Sequence, residues 1–253
     1  MSDQHLIREL IAAQTKQLKM PGLLRALDAI LRRAKEARST LEDFLHEILE
    51  AEILSRTQSA IAARIQEAKF PETKTLDQFD FGRAEGLDRA VIARLTKSQW
   101  IAERENVILA GPIGTGKTHL ASAIGLEACR ALHRVRFVRA ADLVQALLEA
   151  RDQRSLGLIQ RRIDRADLLV LDELGFVPFD REGGELLFNL LAQRHGRKSV
   201  MITTNLAFSE WPKVFGGDDK LTAAVLDRLA ERATVITTRG KSYRTRRKGK
   251  EDD

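Results

Sequence analysis

Cysteine is all but missing from this 253-residue chain. Cys129 stands alone, which excludes a disulfide within the chain. It lies in an apolar segment and reads as a small packing residue in a reducing compartment. Long hydrophobic runs are missing too. No apolar stretch approaches the roughly 18 residues that span a bilayer, and the first residues carry no signal-peptide core. A cytoplasmic protein with no membrane partner is expected. Internal repeats and low-complexity segments are absent, apart from a basic tail. Glycine and proline nearly vanish from the first seventy residues, where Gly22 and Pro21 are single examples. That scarcity favours helix there.

Hydrophobic residues make up 43% of the chain, enough for a proper core and far from a disordered composition. The formal net charge is +6, and its distribution is informative. Arg8, Lys16, Lys19, Arg25, Arg32, Arg33, Lys35 and Arg38 outnumber the acids of the first 38 residues. Residues 39–75 reverse the balance, and the stretch from Arg239 to Lys250 is basic again. Two separated basic segments suit a polyanion such as DNA, whose phosphates release counterions on contact.

Leu6, Leu10 and Ile11 begin a helical stripe that Met20-Pro21-Gly22 interrupts. Leu23, Leu24, Leu27, Ile30 and Leu31 restart it, with Arg25, Arg32, Arg33 and Lys35 outward. Ser39 or Thr40 followed by Glu42-Asp43 reads as an N-cap with acids in the first turn. The polar stretch 69–75, with Pro71, ends the helices. Expected boundaries are a helical module over 1–70, a linker over 71–83 and a nucleotide-binding α/β domain over 84–253. Apolar runs at 106–110, 135–139, 168–172, 199–203 and 234–238 read as buried strands. Helical patterns at 119–133, 141–150, 184–195 and 221–231 separate them, which implies a mainly parallel five-stranded sheet covered on both faces.

Gly111-Pro112-Ile113-Gly114-Thr115-Gly116-Lys117-Thr118 fits the phosphate-loop pattern, between an apolar strand and a helix that opens with His119. Glycines let backbone N–H groups approach phosphate, and a helix N-terminus favours negative charge. Lys117 is expected on the β- and γ-phosphates of ATP or GTP, and Thr118 in a Mg²⁺ shell. Leu168-Leu169-Val170-Leu171-Asp172-Glu173 puts two carboxylates at a strand's carboxyl end, where ligands bind in open α/β sheets. Asp172 is expected to hold Mg²⁺, and Glu173 to orient and deprotonate the attacking water. Adjacent Glu173 argues for hydrolysis rather than transfer to a small acceptor. The guanine-specificity motif Asn-Lys-x-Asp is absent, which favours ATP. Asn205, closing the strand Val200-Met201-Ile202-Thr203-Thr204, suits contact with the γ-phosphate and lytic water, or merely turns the chain. Arg228, in Asp227-Arg228-Leu229, reads as an arginine finger; if it serves a neighbour's site, the active ATPase is an oligomer.

This ordered set resembles AAA+ ATPases. Segments such as Lys74-Thr75-Leu76-Asp77-Gln78-Phe79-Asp80-Phe81, Ser209-Glu210-Trp211 and Arg239-Gly240-Lys241-Ser242-Tyr243-Arg244 make the chain similar to the IstB proteins. These are ATP-dependent helpers encoded beside the transposase of an insertion sequence. The resemblance implies ATP-dependent self-assembly on duplex DNA, bending of that DNA and delivery of the site to a cognate transposase. It also implies DNA binding by the helical module, with cutting and joining left to the transposase. A second sensor arginine is usual in the family, and Arg244 is the candidate. Charge clustering picks out Arg32, Arg33, Lys35 and Arg38, and Arg161, Arg162 and Arg165, as DNA contacts; ordinary solvated charge is the alternative for both groups. Trp100 and Trp211 read as packing residues. The competing reading is a DnaC-type loader acting on a helicase ring and single-stranded DNA. A soluble kinase sharing the phosphate loop is a third.

Overall fold

The structure is a computed structural model that describes residues 3–82, 84 and 86–240. The chain divides into two compact units between Ala63 and Arg64.

The first unit is helical, with α1 (Asp3–Gln17), α2 (Pro21–Ala37) and most of α3 (Leu41–Ala68). Leu27, Ile30 and Ile48 form its core, flanked by Ile11, Leu23 and Phe44. Pro21 opens α2 at the position where a missing N–H costs nothing. Thr40 is the N-cap of α3: its hydroxyl accepts the Asp43 N–H at 3.1 Å, while Asp43 Oδ2 accepts the Thr40 N–H at 3.2 Å.

The second unit follows as α4 (Arg89–Thr96), α5 (Gln99–Ala102), β1 (Asn106–Ala110), α6 (Lys117–Arg130), β2 (Val135–Arg139), α7 (Ala140–Asp152) and α8 (Leu156–Asp164). It ends with β3 (Leu168–Leu174), α9 (Arg181–Arg194), β4 (Ser199–Thr204), α10 (Asp219–Ala230) and β5 (Ala233–Thr237). The five strands pair in the order β2-β3-β4-β1-β5, all parallel. This is the expected α/β architecture. Alternate strand residues serve two cores, as a period of two requires. Val107, Leu109, Phe137, Leu168, Val170 and Met201 pack on one side with Leu120 and Ile124 of α6 and Trp100. Ile108, Leu169, Leu171, Val200 and Ile202 pack on the other with residues of α7, α9 and α10.

The boundary differs from expectation. The compact second unit reaches back into the last turns of α3, because Ile65 and Ala68 belong to its core. The stretch expected as a linker is not a bare tether: its Leu76, Phe79 and Phe81 pack on the same core. Phe70 meets Phe137 edge-on at 5.8 Å, across a gap that only Gly125 leaves open. Both tryptophans are buried; Trp100 donates its ring N–H to Leu95 O at 2.9 Å. Among the described residues no helix is long and apolar enough to cross a membrane.

Candidate nucleotide site

All five strands run in one direction, so their carboxyl ends share one edge, and the motif residues gather there. Ala110 pairs with Thr204 and Thr237, Arg139 with Asp172, and Leu174 with Thr204. Gly111 donates its N–H to Thr204 O at 3.1 Å, tying the start of the phosphate loop to the end of β4.

The loop's glycines have separate duties. Gly111 has φ 147°, and a Cβ there would lie 2.2 Å from Thr238 O. Gly116 has φ 91°, and a Cβ would strike the Phe79 ring at 2.7 Å. Gly116 is also the N-cap of α6 and contributes no side-chain oxygen, so the helix's first N–H groups face the loop. Lys117 Nζ donates to Gly111 O and Pro112 O, both at 2.7 Å, which bends its ammonium over the loop. Ile113 projects outward and Thr115 is buried. Thr115 Oγ1 donates to Pro112 O at 2.8 Å and lies 2.6 Å from Thr238 Oγ1, bracing the loop from inside. His119 Nε2 lies 2.8 Å from Thr75 O and its ring meets Phe79 edge-on, which fastens residues 75–81 beside the loop.

Asp172 is buried, and Thr118 Oγ1 donates to its two carboxylate oxygens at 2.9 and 3.2 Å. A hydroxyl and a carboxylate, two hard oxygen donors, therefore converge beside the loop lysine, a set that fits Mg²⁺. Thr203 Oγ1 donates to Asp172 Oδ1 at 2.5 Å and accepts the Glu173 N–H at 2.9 Å. Glu173 has φ 60°, a left-handed conformation that costs a non-glycine residue about 1–2 kcal/mol. Its carboxylate is partly exposed at the edge, 3.8 Å from Arg139 Nε. Asn205 follows β4 directly at the same edge and is half-buried.

Arg228 is not brought to this edge. Its guanidinium donates to Ala224 O at 3.1 Å and sits 4.8 Å above the Phe188 ring. The next residue, Leu229, accepts at its carbonyl the Asn106 Nδ2–H at 3.2 Å, and Asn106 is the first residue of β1. Arg228 thus stands at the amino edge of the sheet, a strand length of about 16 Å from its own phosphate loop.

Arg161 and Arg162 lie in the last turn of α8 with Arg165 just beyond, all three exposed. Arg136 of β2 shares their neighbourhood: burial lowers its pKa, and the charge of Arg162 lowers it further. On α2, Arg32, Arg33, Lys35 and Arg38 are exposed, and Arg33 pairs with Glu47 at 3.0 Å. Arg244 lies outside the described residues. Thr203, Thr238, Thr75, Phe79 and Arg139 escaped the sequence reading. Each acts across more than 30 residues or through its backbone, and no local pattern assigns any of them a role at the nucleotide site.

The model of the IstB-like ATP binding protein family matches residues 13–251. A putative ATP-binding protein of insertion sequence IS21 from Pseudomonas aeruginosa is 38% identical over 234 residues, 92% of this chain and 88% of the relative. A second, of insertion sequence IS5376 from Geobacillus stearothermophilus, is 33% identical and covers 96% of both chains. Among solved structures, AMPPCP-bound DnaA from Aquifex aeolicus matches 67% of this chain with a TM-score of 0.55 and 22% identity. The chain spans only 51% of that protein. The DnaC helicase loader matches 70% of this chain and 99% of its own, with a TM-score of 0.51 and 20% identity. These two likenesses show a shared AAA+ P-loop fold.

Proposed function

The chain belongs to the family of IstB-like ATP-binding proteins and is an AAA+ ATPase associated with insertion sequences, and from that premise we propose that it assembles on duplex DNA with ATP and delivers the site to a cognate transposase. One observation carries the assembly. Arg228 stands at the sheet edge opposite its own phosphate loop, next to a residue bonded to the first residue of β1. A single copy therefore cannot bring Arg228 to its own nucleotide, and a second copy would supply it.

Within one copy, Lys117 and the first N–H groups of α6 bind the phosphates of ATP. Thr118 Oγ1 and Asp172 would hold Mg²⁺, whose charge, when it is bound, offsets that of the phosphate oxygens. Glu173 orients the water and takes its proton, and Asn205 directs its amide at the γ-phosphate. Arg228 of the adjoining copy completes the charge complement. Loss of the γ-phosphate then weakens the contact between copies.

For DNA, the support is unpaired positive charge. The charge of Arg162 lies close enough to lower the pKa of half-buried Arg136, and Arg161 and Arg165, beside Arg162 on α8 and its C-cap, have no carboxylate partner among the described residues. A polyanion relieves that repulsion. Arg32, Lys35 and Arg38 offer a second basic surface on α2. The rival loader reading has weaker support, because the curated insertion-sequence relatives match the N-terminal helices as well, at 92% and 96% of the chain. The DnaC likeness is one of fold.

The test is size in solution, with and without ATP·Mg²⁺, on duplex or single-stranded DNA. A large ATP-dependent complex on duplex is expected. Growth on single strands alone would favour the loader, and a monomer under every condition would overturn assembly.

A further inference from the structure

The register between β3 and β4 slips at the nucleotide edge. Leu171 pairs with Ile202 and Leu174 with Thr204, so Asp172 and Glu173 together face the single residue Thr203. This is a β-bulge, a device that bends a strand and re-aims its side chains. Without it, Asp172 and Glu173 would point to opposite faces of the sheet. The Thr203 side chain closes the bulge. Its hydroxyl accepts the Glu173 N–H at 2.9 Å, where a regular ladder would use a backbone carbonyl. The same hydroxyl donates to Asp172 Oδ1 at 2.5 Å, and Asp172 in turn accepts from Thr118 Oγ1 at 2.9 Å. Thr203 is 1% exposed, so bulk water does not compete for its hydroxyl. Glu173, at φ 60°, holds a backbone conformation that a non-glycine residue keeps only when its surroundings enforce it.

We infer that Thr203 is a positioning residue of the ATPase: its one hydroxyl pins the bulge that turns the Asp172 carboxylate toward Thr118 and leaves the Glu173 carboxylate at the open edge. The inference rests on the roles proposed above for Asp172 and Glu173. It also links β4, and hence Asn205 two residues on, to the carboxylates of β3 through a side chain rather than the ladder alone.

Thr203→Val keeps the shape and removes the hydroxyl. Thr203→Ser keeps the hydroxyl and removes the methyl, and Thr203→Ala removes both. Steady-state ATP hydrolysis and Mg²⁺-free ATP binding are measured for each, beside wild type and Glu173→Gln. Removal of a group that orients first-contact residues typically costs about 10–100-fold. The expected result is a fall of that size in kcat for Val and Ala, with ATP affinity held within about threefold and Ser close to wild type. If Val does not fold, the comparison of Ser with Ala still isolates the hydroxyl, since both lack the methyl. Full turnover in Val or Ala, or equal loss in Ser and Ala, would overturn the role of Thr203. A wild-type protein that does not hydrolyse ATP, or an active Glu173→Gln variant, would instead overturn the ATPase roles beneath it.

Discussion

Cys129 shows how far burial alone sets the chemistry of a side chain. It lies in α6 with no exposed surface, and loss of hydration pushes its thiol up to about 12, against a small opposing pull from the Arg64 charge. The thiolate is the reactive form, so almost none is present at pH 8. The native protein is expected to resist Ellman's reagent at that pH while the denatured chain reacts at once. Comparable rates in the two states would mean that α6 opens far more readily than its packing implies. A packing role for this residue was legible in the sequence, because its neighbours share a helical apolar pattern. Lys117, Thr118, Asp172 and Glu173 sit in contiguous motifs, so their gathering at one sheet edge was legible too. Thr203 was not legible as a working residue. Threonine suits any buried strand, and its bond to Asp172 spans 31 residues of chain.

Between elements, α2 is held by a carboxylate that no local pattern announces. Its N-cap, Met20, offers no side-chain bond. Instead Glu52 of α3, 3% exposed, accepts the Leu23 N–H at 2.9 Å and an Arg56 Nε–H at 2.7 Å. Gly22 makes this approach possible, since a Cβ there would lie 2.4 Å from Ser55 Cβ. The Arg56 hydrogen bond, followed by those from α2, outweighs desolvation and holds the Glu52 carboxyl below its ordinary value. A carboxylate whose pKa is depressed by folding stabilises the fold above its unfolded pKa, near 4.3 for glutamate, and loses that effect as pH falls through the folded value. Glu52→Gln is therefore expected to melt at a lower temperature than wild type at pH 7. The gap should narrow as pH drops below about 4.3. A gap that stays constant from pH 7 to pH 3 would assign the loss to shape rather than charge. At this scale the strands were legible from their apolar runs, while the boundary was not. A polar segment with one proline looks like a tether until Leu76, Phe79 and Phe81 are seen in the core.

For the whole molecule, the two sheet edges carry different halves of one proposed chemistry. Lys117, Asp172 and Glu173 lie at the carboxyl edge and Arg228 at the amino edge, so the proposed assembly would need a heterologous contact that brings one edge to the other. Such a contact predicts complementation. Glu173→Gln removes the carboxylate proposed to activate water yet retains Arg228, and Arg228→Ala removes the proposed finger yet retains the whole loop site. Each variant alone is expected to hydrolyse ATP at least ~10³-fold more slowly than wild type, the scale of an arginine finger. In an equimolar mixture, half the loop sites are intact and half the adjoining copies carry the finger. Random pairing then makes roughly a quarter of the interfaces competent, and turnover should recover to about that fraction of wild type. Recovery that depends on protein concentration would identify a site shared between copies. Activity no greater than the sum of the two variants, in mixtures shown to co-assemble, would remove Arg228 from the neighbour's site and leave it the contacts with Ala224 and Phe188 in its own copy.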